Sequence, residues 1–314
     1  MSILRALRVG SMLLVLACVA YGADVSLPDH ERVVLPNGTV LLLSEKHDVP
    51  LIGLEAIVRG GAITDPDGLN GTASLLADVM QHGAGERDAA AFAEAIEAVG
   101  GDLTASASLE AIRVSANFVS RDAELMIELV TDLLRRPALD EDAFTKLRDR
   151  SINLIKAAKG ANPGALLPPY GNAFLFGAHP YGNPVGGSET TLASVTHENL
   201  LDYYERFVGG DRLIVSVVGD FNMEAMKSRL TVAFGDWQPA AARLPDLADP
   251  RKQRGRKVLL IDKPGATQTH FWLANVGVSA SYPTRAELDL ANTVFGGRYT
   301  SMLNTELRIE AGLT

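Results

Sequence analysis

Hydrophobic and polar positions divide the chain into a series of strands and helices. Between Glu31 and Ser44 two β-rich runs flank Pro36-Asn37-Gly38, a hairpin signal, and Leu51 to Arg59 reads as a further strand. From Asn70 to His82 the period becomes helical: Leu75, Leu76, Val79 and Met80 share a face, Asn70 or Thr72 serves as cap, and Gly83 stops the helix. Asp88 caps a second helix with Phe92, Ile96 and Val99 inward, ended by Gly100-Gly101. Ile112, Val114, Ala116 and Phe118 alternate with polar residues as a half-buried strand does. Helices follow over 122–135 and 140–158, separated by Pro137, and Pro163, Pro168 and Pro169 break the chain before another helical stretch. Arg212 to Val218 predicts a strand and Met223 to Phe234 a helix. Strands and helices mix without strict βα alternation, so the fold class is α+β, with an antiparallel-rich sheet packed by helices.

The composition changes at Gln238 to Arg256, where prolines, a run of Ala and a cluster of Lys and Arg mark a surface linker. Beyond it, strands are expected from Lys257 to Asp262 and Thr269 to Val276, then helices from Thr284 and Thr300. This repeats the opening of the first part, as the incomplete start of a second copy. The expected organisation is therefore a signal at 1–22, a domain at 30–238, a linker at 239–256 and a partial, truncated second domain at 257–314.

Residues 1–22 have the pattern of an export signal: Arg5 and Arg8 precede an apolar run from Met12 to Ala20, then small residues. Export to a bacterial periplasm follows as the expectation. The single Cys, Cys18, falls inside the signal. The other reading makes Val15-Leu16-Ala17-Cys18 a lipobox and the chain a lipoprotein, and only then is a membrane a partner. The 314 residues, 47% hydrophobic, supply material for about two domains of roughly 150 residues. One Cys excludes a disulfide scaffold. A net charge of -9 and 6% aromatics argue against a nucleic-acid partner.

Several motifs, in order, carry a family resemblance: Leu35-Pro36-Asn37-Gly38, Val58-Arg59-Gly60-Gly61-Ala62 with Asp65-Pro66, and Gly71-Thr72-Ala73 opening a helix. His179-Pro180-Tyr181-Gly182, Val218-Gly219-Asp220, Gly296-Gly297 and Leu303 to Arg308 with Gly312-Leu313 complete the set. From about residue 31 onward the chain resembles the M16 zinc metallopeptidases, the pitrilysin, insulinase and mitochondrial processing peptidase family. The resemblance implies two similar α+β halves joined by a linker.

It also implies a zinc-binding His-x-x-Glu-His motif on the helix after Gly71, with two imidazoles one turn apart and a Glu to activate water. Those places hold Ser74, Ala77 and Asp78. The six His are His30, His47, His82, His179, His197 and His270, and none forms a helical pair. The family's third ligand, a Glu, is expected near Leu147 to Asn153, where Asp149 stands but no Glu. No metallopeptidase activity and no cofactor are therefore expected of this chain alone, with zinc confined to a catalytic partner. In the resemblance, Arg308 corresponds to an arginine that contacts the substrate backbone opposite the zinc, and its companion Tyr would fall at position 315. The chain resembles the non-catalytic member of bacterial pairs in which the zinc motif sits on the other subunit. The expected function is thus half of a peptide-holding chamber, with a peptide or protein substrate and an M16 catalytic homologue as partners. The alternatives are a peptide-binding or assembly protein without a peptidase partner, and a zinc-independent hydrolase using Ser74, Asp78 and His82, which lie in one row of the helix. His179 to Gly182 reads as a structural turn.

Overall fold

The computed structural model describes residues 28–161, 163–265 and 268–313. The expected signal with Cys18, and Thr314, lie outside the described residues. Six strands form one sheet: β1 Glu31–Val34, β2 Val40–Glu45, β3 Leu51–Arg59, β6 Asp102–Ala107, β7 Ala111–Val119 and β8 Leu213–Gly219, in the order β1-β2-β8-β3-β7-β6. Only β2 and β8 run parallel; the other neighbours are antiparallel. A small ribbon, β4 Gly83–Ala84 with β5 Arg87–Asp88, stands apart. The class is α+β, as the mixed pattern predicts.

Alternation sets one face of this sheet against the core. Ile52, Leu54, Ala56 and Val58 of β3 are buried, as are Ile112, Val114, Ala116 and Phe118 of β7 and Leu213, Val215 and Val217 of β8. The intervening Glu55, Arg113, Ser115 and Ser216 lie on the opposite face. Onto the apolar face pack α1 Thr72–Met80, α3 Ala123–Arg135 and α8 Met223–Phe234, with Leu75, Met126, Leu129, Leu133, Leu230 and Phe234 in a single core. The remaining helices are α2 Ala89–Glu97, α4 Glu141–Ala161, α5 Leu167–Phe176, α6 Glu189–Ser194 and α7 His197–Phe207, then α9 Arg285–Asn292. Residues α1 shares with α4 and α7 leave it enclosed between helices and the β6 edge of the sheet. No helix among the described residues is long and apolar enough to cross a membrane.

Most predicted elements fall within a residue or two of their places, and Leu51–Arg59 and Met223–Phe234 coincide with them. Asp88 caps α2 as read, its carboxylate accepting from Ala91 N–H at 2.9 Å. Two points are corrected. Strand β6 was absent from the pattern, because its sequence, DLTASA, buries only Leu103 and Ala105 and has few bulky apolar residues. No ladder forms over Lys257 to Asp262 or Thr269 to Val276 among the described residues. Val258 and Leu260 there are 87% and 86% exposed, so the apolar residues that predicted strands have no sheet to pack on. The helix expected from Thr300 begins at Met302 and continues from Thr305 to Glu310 with a wider winding.

Asn37 of the hairpin is spent structurally. Its amide donates to Phe234 O at 2.7 Å and Trp237 O at 2.9 Å, tying the turn between β1 and β2 to the end of α8. A second internal tie leads toward α1. Tyr203 of α7 is buried; its hydroxyl donates to Gly61 O at 2.8 Å and shares a hydrogen bond with Thr64 Oγ1 at 2.6 Å. Burial pushes the Tyr203 phenol well above its ordinary range, so it remains a donor. Tyr203→Phe removes both of these bonds and leaves Gly61 O and Thr64 Oγ1 only their mutual 2.8 Å bond, and a loss of about 1 kcal/mol is expected in urea unfolding.

Candidate functional site

The site that the sequence singles out is α1, and its position is fixed from below. Gly71, the residue before the helix, has φ +103, and a Cβ there would lie 2.7 Å from Leu192 Cδ2 and 3.0 Å from Gly187 Cα. Glycine is required both by that backbone conformation and by the close approach. The expected caps are corrected here: neither Asn70 nor Thr72 caps with its side chain, and Thr72 Oγ1 instead donates to Leu69 O at 2.6 Å. The acceptor comes from Asp65, six residues upstream. Its two carboxylate oxygens accept from Gly71 N–H and Ala73 N–H, each at 2.8 Å. The carboxyl group thus sits at the positive end of the helix, where the amides favour its charged form and burial opposes it. Burial pushes Asp65 up to about 7, against the downward pull of the Gly71, Ala73 and Thr72 amides.

The helix carries Ser74 and Asp78 half-buried and Ala77 fully buried. Burial raises the Asp78 carboxyl above its ordinary range, while His82 and Arg150 of α4 pull it down. Asp149 lies on the exposed side of α4 and pairs with Arg148 at 3.3 Å. The two imidazole places thus hold a hydroxyl and a carboxylate, and a methyl group stands where the family has its water-activating Glu. They do not fit a zinc ion, which takes three or four thiolate, imidazole or carboxylate ligands. Among the described residues no group of three His, Cys, Asp or Glu is arranged to hold a metal.

Ser74, Asp78 and His82 do not form a relay. His82 Nδ1 lies 3.0 Å from the backbone oxygen of Asp78, so the ring turns back on its own helix. Among the described residues no hydrogen bond joins the three side chains. A nucleophilic serine needs a base within hydrogen-bond reach and an orienting group behind it. This row offers neither.

Arg308 lies exposed in the Thr305–Glu310 turn, its guanidinium 5.6 Å from the centre of the Tyr299 ring. The His179 motif is structural: Nδ1 accepts from Tyr181 N–H at 3.1 Å, and Nε2 donates to Ala248 O at 3.0 Å. Tyr181 donates its hydroxyl to Glu110. Sequence reasoning missed Asp65 as the helix anchor. An acidic residue six positions before the residue that precedes a helix is too distant for a local capping pattern, and only the Gly-rich turn between them hinted at it.

Comparison with known proteins places this geometry in a family. Residues 40–188 match the model described as insulinase (peptidase family M16), and residues 194–314 match the peptidase M16 inactive domain. The chain belongs to peptidase family M16. It is 29% identical to an uncharacterized zinc protease of Mycobacterium leprae, over 90% of this chain and 63% of that protein. It is 21% identical to a non-peptidase homolog of Helicobacter pylori, over 94% of this chain and 67% of that protein. In fold it resembles a peptidase M16 inactive domain from Pseudomonas fluorescens, with a TM-score of 0.77 and 21% identity over 91% of this chain and 69% of that one. The chain thus spans rather less than two thirds of the length of the mycobacterial relative.

Two tests follow from the anchor of α1. Asp65→Ala removes both acceptors and is expected to cost about 1–2 kcal/mol in denaturant unfolding. A folded pKa of about 7 against an ordinary 3.8 means that this group's contribution is complete at low pH and is lost as pH rises through 7. The penalty of Asp65→Asn, read from melting temperatures, is therefore expected to be larger at pH 5 than at pH 8.

Proposed function

We propose that the chain is a non-catalytic M16 subunit that forms half of a peptide-holding chamber with a zinc-bearing homologue. The observation that carries this reading is the state of α1. The helix, its Asp65 anchor and its packing are intact, yet Ser74, Ala77 and Asp78 supply no zinc site. A scaffold kept without its metal ligands suits a binding or complementing role. The non-peptidase homolog of Helicobacter pylori is a relative named in the same sense.

The sheet supports a peptide as the bound molecule. Strand β6 ends the sheet and packs beside α1. Its Ala105 carbonyl points outward, where Gln81 Nε2 reaches it at 3.0 Å. By alternation, Leu103 and Ala107 direct their backbone groups to the same open edge. An extended peptide can pair there through main-chain hydrogen bonds. Arg308 supplies fixed donors for a substrate carbonyl or a developing oxyanion. On this reading zinc and the activating Glu reside in the partner, and the export pattern of residues 1–22 supports a periplasmic location for the pair.

The test is reconstitution. The chain is co-expressed with an M16 homologue carrying an intact His-x-x-Glu-His motif, and zinc content and peptide cleavage are measured for each and for the pair. Zinc is expected in the partner only and full cleavage only in the complex. Arg308→Ala is expected to lower kcat/KM by about 100-fold, the scale of losing one oxyanion donor. Stoichiometric zinc with turnover in this chain alone overturns the proposal. Peptide binding without any complex favours the stand-alone binding protein instead, and cleavage unchanged in Arg308→Ala removes that residue from the site.

A further inference from the structure

At the other end of β3 from α1, the loop 46–50 makes an unusual crossing. It joins β2 to β3, but β8 lies between these strands, so the loop passes over the end of β8. Backbone bonds seat it there: Lys46 N–H donates to Gly219 O at 2.7 Å, and Asp220 N–H to Leu51 O at 2.9 Å. Gly219 has φ +140, and a Cβ at this position would lie 2.1 Å from Leu51 O. The loop therefore rests directly on the strand end, with no room for a side chain between them.

His47, on this loop, lies between two carboxylates from different elements. Its Nδ1 is 2.6 Å from Asp220 Oδ1 and its Nε2 is 2.8 Å from Glu45 Oε1. Each carboxylate is held from behind. Ser120 donates its hydroxyl to Asp220 Oδ2 at 2.9 Å, and Met223 N–H, in the first turn of α8, donates to Glu45 Oε2 at 2.9 Å. An ionised carboxylate only accepts, so both contacts exist together only when both ring nitrogens carry protons. A neutral ring would turn a lone pair toward one of the anions.

We propose that His47 is a proton-operated clasp, which as an imidazolium ties the crossing loop to the β8–α8 junction and on deprotonation releases one of its two carboxylates. The groups that face the ring are Glu45 from β2 and Asp220 from the β8–α8 turn, with the neutral Ser120 hydroxyl behind Asp220; Lys46 and Asp48 flank it in the loop. Asp220 and then Glu45 raise the His47 pKa above its ordinary 6.5, and His47 with Ser120 lowers that of Asp220. The signs define a window. The His47 contribution is complete below its unfolded pKa and fades as pH rises through the raised folded value. The Asp220 contribution is present above the ordinary carboxylate range and fades on acidification. The clasp is closed between these limits and opens on the alkaline side. The His47 side chain is 62% exposed, so the coupling weakens with salt.

The experiment is an NMR titration of the full chain, with the His47 ring signal assigned from its loss in His47→Gln. The midpoint is expected above 6.5, falling back in Asp220→Asn and in Glu45→Gln and at high salt. The second readout is hydrogen exchange at Asp220 N–H, corrected for base catalysis. Its protection is expected to drop above the midpoint in the native chain and to lose that step in His47→Gln. A midpoint at or below 6.5, or the same step in His47→Gln, overturns the proposal. Having two carboxylate variants keeps the test intact if one of them fails to fold.

Discussion

The carboxylate of Asp65 accepts the amides of Gly71 and Ala73 beneath the first turn of α1, and the surrounding structure serves to keep it there. Upstream, Tyr203 and Thr64 fix the short turn at Gly61–Thr64 that delivers Asp65. Downstream, Gly71 lets the helix start against Gly187 and Leu192 without a side chain in the way. A helix of nine residues is too short to be stable by its own propensity. It persists because its N-terminus is satisfied and because Leu75, Leu76, Val79 and Met80 are fully buried. Local capping and long-range packing each supply part of what the helix lacks.

This division explains how the helix survives without metal ligands. In a small metal-dependent domain the ion supplies folding energy outright, and removing it unfolds the chain. Here the apolar face and Asp65 act from the interior, whereas Ser74 and Asp78 occupy the half-buried side. Ala77 is buried with the apolar face and contributes its methyl group to the packed interior. Chemistry and stability lie on different residues of one helix, so one can change while the other is kept.

How much of this was legible in the sequence follows the range of the interactions. Elements set by periodicity, such as β3, β7, α1 and α8, were readable because each carries its apolar face in its own residues. So was the Asp88 cap, which acts over three positions. Strand β6 was not, because Ala and Ser in its sequence mark no strand until β7 lies beside it. The hydrophobic alternation near Val258 and Phe271 misled in the opposite direction. A strand takes its hydrogen bonds from a neighbour, and alternation records only the face that would be buried. The absence of the His pair from α1 was plain from residue identity alone, but the burial that raises the Asp78 carboxyl depends on how the neighbouring elements pack.

The stacking of Arg308 on Tyr299 gives the proposed substrate contact a physical basis that the sequence position alone lacks. A carboxylate partner would hold the guanidinium but would also occupy its donors and cancel its charge. An aromatic face attracts the cation through the ring quadrupole while leaving the N–H groups at the guanidinium edge free to bond elsewhere. The Thr305–Glu310 turn aligns the side chain over Tyr299, and no carboxylate pairs with it among the described residues. On the proposed reading, an arginine over an aromatic ring with its donors not spent on a carboxylate suits recognition of a peptide carbonyl better than it suits a surface ion pair.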